Sequence, residues 1–165
     1  MQTCYLLAVP SVSAADPTLP LWESLMRQAV ADERAGQLSL ARAGYERALA
    51  IALRLLDAPP PGRAEDCLAA LVVSHHNLAD LLADSSDSND RNAAARHLCH
   101  AHETLIALHT SIARPVSLRQ AALRHSRETH MALVRHVARH GPHPLIARTL
   151  DAACMTLHAD SSARH

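Results

Sequence analysis

The chain has 165 residues, zero formal net charge with histidine neutral, 48% hydrophobic residues and only four glycines. That length fits one domain with a real core, and a composition rich in alanine and leucine and poor in glycine points to an all-α fold. The four cysteines, Cys4, Cys67, Cys99 and Cys154, form no CxxC pair, which excludes a zinc-ribbon signature and a disulfide framework and leaves reduced thiols of a cytoplasmic protein as the expectation.

Lysine and phenylalanine are absent, and all sixteen basic residues are arginine, the bias of a high-GC coding sequence. Charge is uneven along the chain. Residues 1–90 carry six arginines against twelve acids, a net of −6, and residues 91–165 carry ten against four, a net of +6. Eleven of the thirteen histidines lie in the second part, which should turn strongly positive below about pH 6.5.

Residues 1–20 read as an irregular arm. The apolar run Tyr5 to Val9 is short and no Lys or Arg precedes it, although Ser13-Ala14-Ala15 resembles a signal-peptidase site and keeps export as the alternative. No segment is long and apolar enough to span a membrane. A first helix is expected from about Leu21 to Ala35, with Trp22, Leu25, Met26, Ala29 and Val30 inward. Gly36 closes it, and Ser39 can cap a second helix that runs to Asp57. In that second helix Ala41, Tyr45, Ala48, Leu49 and Ala52 recur at intervals of three and four, one face on which alanines admit a close neighbour and Tyr45 fills the gap.

Pro59, Pro60, Pro61 and Gly62 break the chain. A third helix, Ala64 to Ala83, carries the stripe Leu68, Leu71, Val72, His75, Leu78, Ala79 and Leu82. Asp84 to Asp90 reads as a mobile acidic loop whose order of acids does not match an EF-hand. Asp90 is the expected cap of a fourth helix reaching Ile112, with Ala94, Leu98, Ala101, Leu105, Leu108 and Ile112 as its seam. Pro115 suits the first turn of a fifth helix ending at Gly141-Pro142. A sixth runs from Pro144 to Leu157, and residues 158–165 form a frayed tail.

Gly36, Ala41, Tyr45, Ala48 and Leu49 together resemble the second half of a tetratricopeptide (TPR) repeat, and His76-Asn77-Leu78-Ala79 is similar to the start of another. The first helix departs from the pattern, with Leu25, Gln28, Ala29 and Asp32 where the family favours Trp, Leu, Gly and Tyr, and the closing proline is missing. An unrelated helical hairpin is the alternative reading of the same residues. The resemblance implies three antiparallel hairpins over residues 21–157, stacked as a short right-handed superhelix. It also implies a noncatalytic adaptor that binds a protein or peptide segment, or another copy of itself, in a concave groove. The groove would be lined by Glu23, Met26, Val30, Glu33 and Arg34 in the first pair and by Val73, His76, Asp80 and Ala83 in the second. That surface is mixed and mildly acidic, and lacks the lysine- and asparagine-rich carboxylate clamp of chaperone-binding TPR domains.

Histidine-dependent metal binding or pH sensing is the alternative function. His136 and His140 lie four apart on one helix face with His125 on the same side, but such spacings arise by chance among thirteen histidines. His97 and His100 near Cys99, and His143 after the turn, are weaker candidates. Arg124, Arg127, Arg135 and Arg139 cluster on the fifth helix, as a solvated face or a nucleic-acid contact, and the absence of nearby aromatics favours the former. No GxSxG, phosphate loop, HExxH or dinucleotide fingerprint occurs, so neither catalysis nor a cofactor is expected.

Overall fold

The computed structural model describes the backbone of residues 17–162 and side chains as far as Met155. Within them lie six α-helices and no strand: α1 (Leu19–Arg34), α2 (Leu38–Asp57), α3 (Ala64–Ala83), α4 (Ser88–Thr110), α5 (Val116–His140) and α6 (Pro144–Ser162). Residues 1–16, with Cys4 and most of the expected arm, and residues 163–165 lie outside the described residues.

The ends of the helices follow from local chemistry. Thr18 caps α1, its hydroxyl accepting from the Leu21 amide at 3.2 Å. Gly36, at φ 75°, turns the chain out of α1, and the amides of Gly36 and Gln37 close back on Glu33 and Asp32. That turn leads straight into α2 at Leu38, so Ser39 lies within the first turn and the expected Ser39 cap is not formed.

The Asp84–Asp90 segment differs more from expectation. Asp87, not Asp90, caps α4 by accepting from the Asn89 amide at 2.8 Å. Ser85 accepts from the Asp87 amide and donates to Asp90, while Arg91 donates to the carbonyls of Ser85 and Ser86. The expected long loop is therefore a tight, cross-braced turn, because its serines and acids satisfy the backbone locally. At the other end α4 stops at Thr110, leaving Ile112 91% exposed instead of in the seam. Pro115 stands at the cap of α5 rather than in its first turn. α6 continues beyond Leu157 to Ser162, where a frayed tail was expected.

Packing centres on α3. Its whole predicted stripe is buried, together with Cys67, Ala70, Ser74 and Ala83. It contacts α1, α2, α4 and α5. Small residues let α1 and α2 approach: a Cβ built on Gly44 would stand 2.8 Å from the Ala29 Cβ. Beside that contact Tyr45 is buried, and its hydroxyl donates to the Glu33 carboxylate at 2.5 Å. Trp22 reaches across from α1 and donates its indole N–H to Ser74 at 2.8 Å. α6 lies mainly on α4 and meets α5 only at a small contact, so the expected α5–α6 pair is not closely packed as α1–α2 and α3–α4 are. No helix among the described residues is long and apolar enough to cross a membrane.

Candidate functional site

Because α3 touches α1 on one side and α5 on the other, two clefts flank it. One, of about 440 Å³, is bordered on α1 by Trp22, Met26, Arg27, Val30, Ala31 and Arg34, and on α3 by Val73 and Asn77. The other, of about 230 Å³, lies between the C-terminal halves of α3 and α5. Its α3 wall is His76, Asp80, Ala83 and the helix-ending Asp84, and its α5 wall is Arg135, His136, Arg139 and His140, with Leu98 and Ala132 also lining it. Both walls follow from helical spacing: residues three, four or seven apart stack on one face.

Most of the expected groove residues fall in these clefts. Met26, Val30, Arg34 and Val73 line the first, and His76, Asp80 and Ala83 line the second. Glu23 and Glu33 line neither: Glu23 is exposed, and Glu33 is occupied by Tyr45. Met26 and Ala83 are mostly core residues, each 7% exposed, so they shape the clefts more than they offer surface. Asp84, Arg135 and Arg139 were not foreseen as groove residues. The signal was present in the i, i+4 pairs Arg135/Arg139 and His136/His140, had the groove been extended to α5.

The arginine cluster on α5 is split. Arg124 pairs with Glu65 and Arg127 is exposed, whereas Arg135 and Arg139 line the second cleft. The three metal candidates are split as well. His136 and His140 are neighbours, with ring centroids 4.7 Å apart. His125 lies three turns earlier on α5, roughly 16 Å along the axis, and is held between Glu65 at 3.1 Å and Glu128 at 3.7 Å. His143 is engaged elsewhere, hydrogen-bonding Asn92 at 3.1 Å and accepting from the Leu145 amide. His97 faces His75, their Nδ1 atoms 3.1 Å apart. Among the described residues no group of three or more His, Cys, Asp or Glu side chains is placed to hold a metal ion.

The electrostatics of the second cleft come from burial and neighbours. Burial pushes the His76 imidazole below its ordinary range, against the pull of Glu128 and Asp80 and with a further push from Arg135. His136 is also pushed down, by burial first, then by His140 and His143. Both are therefore neutral at pH 7. The buried His76 Nε2 has no hydrogen-bond partner. Chemically the cleft offers guanidinium and imidazole N–H donors on one side and carboxylate acceptors on the other, and no hydroxyl or thiol side chain lines it.

Comparison with known proteins gives one result. No curated protein and no solved structure matches the chain. Residues 20–165 match the family described as "Protein of unknown function (DUF2753)". Since that match covers most of the chain, the protein belongs to this family.

Proposed function

We propose that the protein is a noncatalytic, cytoplasmic adaptor of TPR-like build, three helix pairs in a short right-handed superhelix, which binds a protein segment on the face formed by α1, α3 and α5. The supporting observation is that the two clefts flanking α3 take up seven of the nine expected groove residues, Met26, Val30, Arg34, Val73, His76, Asp80 and Ala83. An extended segment or a helix crossing α3 would meet an apolar patch around Trp22 and Val73, then the charged cleft around Asp80 and Arg139. Self-association would use the same face.

The test starts from native lysate treated with nuclease, with the untagged chain as bait and its partner identified by mass spectrometry. Val73→Asp and His76→Ala should each weaken that partner's binding while the helical circular dichroism and melting temperature stay near wild type. Unchanged binding by both folded variants would sink the assignment of the face. A second reading, pH sensing, draws on the three histidines lining the cleft. It requires partner affinity to change between pH 7 and pH 5.

A further inference from the structure

We infer that the α3–α5 cleft holds a single carboxylate of the bound protein segment, on an acidic side chain or at a chain terminus, on Arg135 and Arg139. This rests on the α1–α3–α5 face being the binding face.

The donors are in place and open. Arg135 and Arg139 lie one turn apart on α5 and both line the cleft. Among the described residues neither makes a hydrogen bond or ion pair, although Asp80 and Asp84 line the same cleft. Elsewhere arginines of this protein do find carboxylates across helices: Arg42 reaches Asp90 at 3.0 Å, and Arg124 reaches Glu65. Each free guanidinium presents five N–H donors in a planar fork, which matches the two oxygens of a carboxylate. His76 lines the facing α3 wall; its Nε2 is shielded from solvent, so the ring bounds the site rather than bonding the ligand.

The carboxylates already present set the class of ligand. Asp80 and Asp84 balance the two guanidiniums in formal charge, and the carbonyl ends of α3 and α5 lie at the same end of the cleft. One added carboxylate can sit on the arginine wall. A polyanion would press further phosphates against Asp80, Asp84 and the helix ends. No aromatic side chain other than histidine lines the cleft, so bases would have no large platform to stack on. The ligand chemistry is thus a protein carboxylate and not a nucleic acid. The groove read from α1 and α3 alone looked mildly acidic; α5 supplies the cations.

Three capped heptapeptides of otherwise identical sequence test this on the full chain, labelled for NMR. The first has a central glutamate and an amidated end, the second a central glutamine and a free C-terminal carboxylate, the third a glutamine and an amidated end. The inference expects the first or second to bind at least about tenfold more tightly than the third. The His76 ring and the Arg135 and Arg139 side-chain N–H signals should move on binding. Arg135→Gln and Arg139→Gln should abolish the advantage with the melting temperature unchanged. A stronger first peptide assigns a side-chain carboxylate, a stronger second a chain terminus. Equal binding of all three at the cleft overturns the carboxylate inference while leaving the binding face intact. If no peptide moves the cleft signals the inference falls too, and the face is then judged by the Val73 and His76 variants. Tighter binding of hexauridylate than of either acidic peptide overturns it in favour of nucleic acid.

Discussion

Replacing Gly44 by alanine should destabilise the protein, although the same change at an open helical position would stabilise it. Gly44 lies inside α2, and the added methyl would stand 2.8 Å from the Ala29 Cβ and 3.4 Å from the Ala29 Cα. Ordinary carbon–carbon contact lies at about 3.5–4.0 Å. The groups that would have to yield are a backbone atom and a side chain with no rotamer, so α1 and α2 must separate. Overpacking of this kind costs about 1–3 kcal/mol. Removing a mid-helix glycine gives back about 1 kcal/mol. The expected net loss is about 0–2 kcal/mol, a fall of up to about 8 °C in Tm for a chain of this size. Urea unfolding followed by circular dichroism measures it. Ala29→Gly in the Gly44→Ala background moves the methyl to the other helix and should show a favourable coupling of about 1–3 kcal/mol. A Gly44→Ala variant more stable than wild type, or no coupling with Ala29→Gly, would refute the close approach of α1 and α2.

Two further outcomes follow from buried groups. The Tyr45 hydroxyl donates to Glu33 at 2.5 Å, and burial followed by this bond raises its pKa. Tyr45→Phe should cost about 1.5–3 kcal/mol in wild type and much less in a Glu33→Ala background; equal costs in both would remove the bond from the account. His75 is 4% exposed, and burial with His97 and His100 nearby lowers its pKa to about 3. The folded value lies below the unfolded one of about 6.5, so the unfolded chain takes up the proton first. Stability is complete above that pH and declines as pH falls toward 3, with His75 alone accounting for about 2 kcal/mol at pH 5. His97 and His102, also lowered by burial, add to the same slope. His75→Leu should flatten the dependence of the urea midpoint on pH between 6.5 and 5, and an unchanged slope would contradict the buried neutral imidazole.

The helices were legible because strong periodicity and strong breakers coincide. The bounds of α3 are the expected ones, since the Pro59–Gly62 break precedes it and its apolar stripe is unbroken. Caps were less legible. Asp87 and Asp90 are chemically equivalent as candidates, and only the bracing by Ser85 and Arg91 makes Asp87 the cap. Ile112 continued the period of α4 in sequence, but the helix ends two residues earlier, and periodicity carries no information about where a chain turns away. The α3 residues expected in a groove share one face by their spacing, and they lie along the two clefts. Arg135 and Arg139 were read as a face of α5 on its own, since one sequence does not show which helix lies beside which. The engagement of Glu33 was not legible for a related reason: its partner Tyr45 lies across the turn on α2.

The most direct test of the binding face is site-specific photo-crosslinking to the co-purified partner. A photoreactive residue at Val73, on the α1–α3–α5 face, is compared with one at Leu40, exposed on α2. The account predicts a crosslink to the partner from Val73 and none from Leu40. Crosslinking from Leu40 with none from Val73 would contradict it.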